Sequence, residues 1–257
     1  MKTKNSSKDL KVKFSSNFVK MCLSLLILCS FIVIMYSHLT NADPAGASIT
    51  SNVTESSPVY SPGSLTNPGG TINTVVLDVV QQNDKWKAYV GNISGALTLD
   101  DGDGYTIFQW AMGASEVAGE VYASRANSID WSVINCSNVT LIDTEDSVIG
   151  FSGSSLDNIN NTFNETTHNA IVTAGRTMVA NSCRATATFV NDTKQNQSSA
   201  FFQEVLFASG NDLIYTSPLN QGTAAFNYNS TVDFQFIVAD DVTQAITTYY
   251  FYVEIGG

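Results

Sequence analysis

The cysteines are the residues in this 257-residue chain whose type and number point most directly to chemistry. Cys22 and Cys29 fall in an apolar leader, so Cys136 and Cys183 remain in the part that follows it. In an oxidising compartment a lone pair of cysteines in one domain most simply forms a disulfide. A metal site is the alternative, but two cysteines cannot complete a zinc shell without nearby histidines. We therefore predict a disulfide between Cys136 and Cys183.

Catalytic side chains are scarce beyond the leader. His168 is the only histidine there, so Ser-His-Asp or Cys-His catalysis would depend on this one residue. The sequence contains no G-x-S-x-G, H-E-x-x-H or C-x-x-C motif and no phosphate-binding glycine loop. Paired carboxylates of a glycoside hydrolase stay open, because acids are abundant and no pair stands out. We predict a protein that is not an enzyme, with no catalytic residues.

Two aspartates offer a weak metal site. Asp101 and Asp103 alternate with glycines in the run DDGDG, and carboxylate oxygens are the ligands that Ca²⁺ prefers. The full calcium loop would place Asp or Asn at position 105, where Tyr105 stands, and no glutamate closes the loop. A tight hairpin turn is the alternative that we favour. We predict no cofactor, with Ca²⁺ at Asp101 and Asp103 as the weaker possibility.

The three tryptophans could form a platform on which sugar rings stack. Trp86, Trp110 and Trp131 all lie in segments with strand character. At such positions tryptophan side chains more often belong to the core. We therefore favour a core location over a sugar-stacking platform.

The first 42 residues have the order of parts that export machinery recognises. Six lysines precede residues 21–36, which carry no charge, and Thr40, Asn41 and Ala42 follow. Cleavage after Ala42 would make residues 1–42 a signal peptide. Uncleaved, the apolar run approaches the roughly 17 to 20 residues of a membrane span and would act as an N-terminal signal anchor. Either alternative predicts an extracellular, cell-surface location for residue 43 onward, with a membrane contact only if the leader is retained.

Charge and glycosylation motifs characterise the remainder. Residues 43–257 carry 6 basic and 22 acidic groups, a formal charge of about −16, which repels phosphate backbones and argues against nucleic-acid binding. Nine N-x-S/T sequons lie there, and Asn135 is the least favoured because it adjoins Cys136. The predicted glycosylation sites are Asn52, Asn92, Asn138, Asn160, Asn164, Asn191, Asn196 and Asn229.

Residues 43–70 are rich in Ser, Thr, Pro and Gly and show almost no apolar period. This composition predicts a flexible linker or stalk. The alternative is a strand donated to a neighbouring subunit, with Ala47, Ile49 and Val53 on one face. Ser51 interrupts that face, so we favour the linker.

Residues 71–257 alternate apolar and polar side chains in short segments separated by turn residues, which is typical of antiparallel strands. We predict an all-β fold, a single antiparallel β-sandwich of about ten strands. The polar, Asn-rich region 146–169 is expected to be a loop with one short helix. The predicted strands and hairpins include residues 75–80, 86–90, 97–99 with 105–110, 205–207 with 213–215, 232–238 and 249–255.

Several short motifs occur together over residues 70–257. They are WKAYVGNISG (86–95), ALTLDDGDG (96–104), YTIFQW (105–110), GEVYASR (119–125), WSVINC (131–136), NSC (181–183) and YYFYVE (249–254). The combination resembles a family of secreted archaeal cell-surface proteins of unknown function, in which both cysteines have counterparts. The resemblance implies an exported, β-rich envelope or appendage protein and transfers no catalytic residue.

Two functions from different classes follow as expectations. The first is a structural cell-surface protein, an envelope component or filament subunit that associates with itself or with other envelope proteins. The second is a surface adhesin or carbohydrate-binding module acting through Trp or Tyr side chains. An extracellular hydrolase comes third.

Overall fold

The structure, a computed structural model, describes residues 43–58, 61–111, 118–241 and 247–256. The predicted leader, residues 1–42, lies outside them. The described residues are mostly strands with few helices, which confirms the prediction of an all-β antiparallel sandwich. They contain seventeen strands, of which eight have five or more residues and the others two or three.

The bounds of these elements fix the labels used below. The long strands are β2 (Trp86–Gly91), β3 (Ala96–Asp100), β4 (Thr106–Ala111), β5 (Ala118–Ser124), β12 (Gln203–Ser209), β13 (Asp212–Pro218), β16 (Phe234–Ala239) and β17 (Tyr250–Gly256). The short strands are β1 (Ala45–Gly46), β6 (Asn135–Cys136), β7 (Ile171–Thr173), β8 (Arg176–Met178), β9 (Ala185–Ala187), β10 (Phe189–Val190), β11 (Thr193–Lys194), β14 (Thr223–Ala224) and β15 (Thr231–Val232). The helices are α1 (Val139–Val148) and α2 (Ile159–Thr162), and the 3₁₀ turns are Trp131–Val133 and Gln197–Ser199.

One seven-stranded antiparallel sheet organises the molecule. Its strands run in the order β1, β17, β5, β13, β12 and β6, and β9 pairs with the same strand β12. The central strands β5, β12 and β13 are buried along most of their length because both of their faces are covered. In β12, Leu206 points to one face while Val205 and Phe207 point to the other, as the period of two requires.

The second layer of the sandwich covers one face of this sheet. Strands β16 and β2 pair over six residues and pack on it, and α1 and α2 complete the cover. Phe236 and Val238 of β16 meet Leu206 and Tyr215 of the sheet in this core. The opposite face is covered by the β7–β8 hairpin and the turn at Trp131, which surround Phe207 and Ile214.

The helices begin where asparagines cap them. Asn138 accepts a hydrogen bond from the Leu141 amide at the start of α1, and Asn158 does the same for Asn161 at α2. The short helix predicted within residues 146–169 corresponds to α2. Helix α1 begins earlier, at Val139, in a stretch for which no helix is predicted.

The other strand predictions have mixed outcomes. Both predicted hairpins form, as β3–β4 and β12–β13. The segment 86–90 is a strand, and the segments 232–238 and 249–255 are strands over all but one residue each. The strand predicted at residues 75–80 is wrong, because these residues form no strand and their apolar side chains are exposed. The pattern there satisfies the local requirement for a strand, but no neighbouring strand of the described structure pairs with it.

Candidate functional site

The disulfide is present and closes one edge of the large sheet. Cys136 lies in β6 and Cys183 just before β9, and the two sulfurs are bonded. Strands β6 and β9 pair with successive parts of the same edge of β12. The disulfide therefore joins two short edge segments that pair with β12 over only two and three residues.

His168 positions the loop that carries Cys183. Its imidazole is buried, and Nε2 accepts hydrogen bonds from the backbone amides of Ser182 (3.1 Å) and Cys183 (2.9 Å). The Nδ1 atom faces the Asn169 carbonyl oxygen at 2.6 Å, which makes Nδ1 the protonated nitrogen. Both ring nitrogens are thus occupied, and the histidine on which triad catalysis would depend has a structural role.

A carboxyl pair that sequence patterns did not single out lies between β5 and β17. Glu120 and Glu254 are directly opposite each other across the two strands. The Tyr122 hydroxyl lies 3.1 Å from Glu254 Oε2 and 3.4 Å from Glu120 Oε2. Burial, and next the charge of Glu254, raise the pKa of Glu120 to about 8, so this carboxyl holds its proton at neutral pH. Burial also raises the pKa of Glu254.

The surroundings of this pair limit its chemistry. Both carboxylate oxygens of Glu254 accept hydrogen bonds from the Ala174 amide, at 2.9 and 3.2 Å, and Tyr122 also contacts Thr173. A proton shared between opposed carboxyls is a device that hydrolases use. Here the Ala174 amide ties Glu254 to the β7–β8 turn, and Tyr122, which contacts both carboxyls, also contacts Thr173, so the arrangement connects that hairpin to the sheet.

Two further acidic groups serve the packing of the core. Glu204 is fully buried between the layers, burial raises its pKa well above the usual range, and one of its oxygens accepts the Ile237 amide at 3.0 Å. Arg125 forms a bidentate pair with Glu145 of α1, with both N–O distances at 2.6 Å. That pair fastens the helix to the end of β5.

The aspartates proposed for calcium form a turn. Asp101 Oδ1 accepts the backbone amides of Asp103 (3.0 Å) and Tyr105 (2.8 Å), and Gly104 adopts a positive φ of 86°. The side chain of Asp101 is therefore engaged within the β3–β4 turn. Among the described residues no three His, Cys, Asp or Glu side chains are grouped as a metal site would need.

The tryptophans separate into core and surface. Trp131 is buried between Tyr122 and Tyr252, and Trp86 is half-buried against Phe151 and Phe163. Trp110 is half-exposed on β4, with its ring 4.8 Å from that of Phe108. The structure does not bring the three side chains together in a platform.

The asparagines of the predicted glycosylation sites lie at the surface with one exception. Asn160 is half-buried, and its side-chain oxygen is enclosed. Two of the exposed ones also act as caps. Asn138 caps helix α1 by accepting from the Leu141 amide, and Asn196 caps the 3₁₀ turn Gln197–Ser199 by accepting from the Ser198 amide. The other exposed acceptors are Asn52, Asn92, Asn164, Asn191 and Asn229.

The β3–β4 hairpin exposes an apolar face. Cross-strand partners Leu97 with Trp110 and Leu99 with Phe108 place four apolar side chains together. Each of the four remains 37 to 55 % exposed, and the hairpin pairs with no third described strand. A two-stranded hairpin alone is marginally stable in water, and a cover over this face would stabilise it.

A second exposed apolar region precedes β2. We call residues 72–80 the apolar segment; its large side chains are 55 to 99 % exposed. Residues 48–82 around it form no helix or strand among those that the structure describes. The exposed members of the apolar segment are Ile72, Val75, Val76, Leu77, Val79 and Val80.

This long loop is fastened at both ends. At its start, Ala45 and Gly46 pair with β17, and the Ala47 amide donates to the Phe251 carbonyl at 2.9 Å. At its end, Asn83 and Lys85 contact the carboxylate of Asp157 at 3.0 and 3.3 Å. Loops of such length without structure of their own are uncommon in compact domains and usually carry function.

The outer edges of the two core layers differ in how they are covered. The edge of β12 is closed by β6 and β9, and that of β17 by residues 45–47. The Ile237 amide on the outer side of β16 is satisfied by Glu204. The outer edge of β2 pairs with no strand in the described part of the chain.

Within the described ranges, no helix has the length and apolar character that a membrane crossing requires. Comparison of the chain with protein-family models, with curated proteins and with solved structures found no match. The resemblance to archaeal surface proteins therefore stays a prediction.

Proposed function

We propose that the chain is a non-enzymatic structural subunit of a cell envelope layer or extracellular filament. The observation that carries this proposal is the apolar face of the β3–β4 hairpin, formed by Leu97, Leu99, Phe108 and Trp110. Soluble monomers rarely leave a contiguous apolar patch uncovered unless it is a contact surface. The disulfide and the closed edge of β12 support the proposal, because a subunit outside the cell benefits from a covalently locked sheet.

The test is assembly of the exported protein, expressed as the full chain and isolated after export, followed by electron microscopy and sedimentation. We expect defined polymers. In Phe108→Thr, removal of an aromatic side chain from the face should raise the concentration needed for assembly by roughly tenfold, about 1.4 kcal/mol. Gln109→Thr, on the opposite face of the same strand, is the matched control and should assemble normally. A Phe108→Thr protein that assembles like the control would argue against the hairpin face.

A cell-surface location and glycosylation are parts of the same proposal. The apolar leader in the sequence and the exposed acceptors such as Asn92 and Asn229 support them. The intact mass of the protein from its native cells tests both. A mass equal to the bare polypeptide beginning at Met1 would contradict cleavage and glycosylation together.

A carbohydrate-binding surface is the second candidate, and Trp110 favours it. Its ring is half-exposed, and Tyr105 at the adjoining turn is 74 % exposed, so a sugar could stack there. Retention of the protein on a glycan array, with loss in Trp110→Ala, would support this function. Assembly into polymers without glycan retention would favour the structural one.

A further inference from the structure

The apolar segment, residues 72–80, lacks the partner that its composition requires. Val75, Leu77 and Val79 alternate with Val76 and Val80, so an extended backbone would present apolar side chains on both faces. Strands with two apolar faces occur where both faces are buried. An exposed strand-forming segment of this kind is a template for pairing with another chain.

Anchors hold both ends of the long loop that contains the segment. Asn83 Nδ2 donates to Asp157 Oδ2 at 3.0 Å, and Lys85 Nζ lies 3.3 Å from Asp157 Oδ1. The chain between the segment and β2 is thereby bound to loop 153–157, and the segment does not fold back onto its own β2 in the structure. The start of the long loop is held separately at β17 through Ala47.

The outer edge of β2 has the features of an acceptor. Ile237 is the register partner of Ala88, and its amide points away from β2 to Glu204. By the alternation of antiparallel pairs, the backbone groups of Ala88 and Val90 then point to the outer side of β2. Both side chains are exposed, and no described strand pairs with that side. The second layer, with only two strands, is therefore open to one more.

The area involved is that of a specific contact. Burying a Val, Leu or Ile side chain contributes about 1.5–3 kcal/mol, at about 25 cal/mol per Å² of apolar surface. Each such side chain therefore buries roughly 60–120 Å². The side chains of one face give roughly 200–350 Å² and those of both faces roughly 400–700 Å². The larger figure, close to the 800 Å² or so that each partner contributes to a standard interface, applies when the outer face is covered as well.

Resting on the proposed function, that copies of this chain assemble, we propose that the apolar segment of one copy adds as a strand to the outer edge of β2 in a second copy. The occupant of the free edge is thus residues 72–80 of a neighbouring subunit. Donor and acceptor are different surfaces of one chain, so each subunit can give one strand and receive one. Contacts of this kind propagate into a ring or an open filament.

A proline scan tests the donor. Leu77→Pro removes a backbone amide and fixes φ in the segment, while Leu65→Pro makes the same change in the polar half of the same loop. Both leucines are exposed, at 87 and 65 %, so neither variant should change the melting temperature of the isolated chain. We expect Leu77→Pro to raise the concentration needed for assembly at least tenfold and Leu65→Pro to leave it unchanged.

A cysteine pair tests the acceptor and the identity of the partner. Full chains carrying Leu77→Cys are mixed with full chains carrying Ala88→Cys, oxidised and analysed under denaturing conditions, with Val53→Cys in place of Leu77→Cys as control. A disulfide between the two kinds of chain, absent in the control, is the expected result. A link that forms only when both substitutions are on one chain would show self-pairing and overturn the proposal. Polymers that form without the link would also overturn it and leave the proposed function standing, whereas absence of polymers would end both.

Discussion

Two hairpins of this protein have the same local design and opposite surroundings. β12–β13 turns at Gly210, with φ 59°, and β3–β4 turns at Gly104, with φ 86°. Their strands are similar in β-branched and aromatic content, yet Leu206 of the first is fully buried and Leu99 of the second is 53 % exposed. The turn and the alternating pattern form the hairpin, and the neighbouring strands decide whether it is buried. A hairpin with an apolar face and no neighbouring strand is therefore a candidate surface for contact with a partner molecule.

The largest effect should come from opening the edge that protects β12–β13. Cys136→Ser with Cys183→Ser removes a link across 47 residues, which the loop-closure model values at about 4 kcal/mol. We expect a loss of that order in the free energy of unfolding, measured by denaturant titration of the isolated protein. The β3–β4 hairpin has no such link. Assembly of the protein through this hairpin should therefore be weaker in reducing than in non-reducing buffer only to the extent that less of the protein is folded. An unchanged unfolding midpoint after reduction would contradict the role of the disulfide.

Matched leucine truncations sharpen the comparison. Leu206→Ala leaves a cavity in the core and should cost about 3 kcal/mol. Leu99→Ala removes an exposed side chain and should cost no more than about 0.5 kcal/mol in the isolated chain. Thermal and denaturant unfolding of both variants measure the difference. Equal costs would mean that the β3–β4 face is covered in solution by the same chain.

A third test addresses the support behind the disulfide. His168→Ala leaves the Ser182 and Cys183 amides without their acceptor and should lower the free energy of unfolding by about 2 kcal/mol. His168 and the disulfide both hold the loop at Cys183. The loss in free energy of unfolding should therefore be smaller when His168→Ala is made in the protein that lacks both cysteines. Additive losses would show that His168 and the disulfide act independently.

The last test concerns the dependence of stability on pH, where the effect per pH unit is smaller than the losses above. Between pH 4.5, the ordinary pKa of a glutamate in the unfolded chain, and about pH 8, the pKa of Glu120 in the folded protein, only the folded state binds this proton. The stability that this proton contributes is therefore fully present below pH 4.5 and is lost as the pH rises to about 8. The slope for a full proton is about 1.4 kcal/mol per pH unit, and solvent at this half-buried group reduces it. Glu120→Gln should flatten the profile and be more stable than the wild type at pH 8. Exposed Glu55→Gln, the control, should leave the profile unchanged; a steeper profile for Glu120→Gln would refute the assignment.

Much of the fold could be predicted because its determinants are local. The hairpin at Asp101–Gly104 and the strand at β17 follow from turn residues and period-two alternation. The disulfide follows from the number of cysteines and the predicted compartment. These signals need no knowledge of which segments lie side by side.

The errors and omissions arise from long-range contacts. Residues 75–80 have a strand pattern but no pairing partner in the described structure. The pairing of Ala45 with Val253, across the length of the chain, left no trace in the composition of a segment predicted to be a linker. Glu120 and Glu254 are likewise brought together only by the register of β5 and β17. The predictions of domain boundaries, export and glycosylation stay predictions.

The measurement that addresses the central claim most directly is hydrogen exchange of backbone amides in the isolated and the assembled protein. Amides of residues 205–207 should be protected in both states, because β12 is paired on both sides. Those of residues 72–80 should exchange within seconds in the isolated chain and become strongly protected on assembly. Rapid exchange of residues 72–80 in the assembled protein, or protection already in the isolated chain, would contradict the assignment of this exposed apolar region to contacts between subunits.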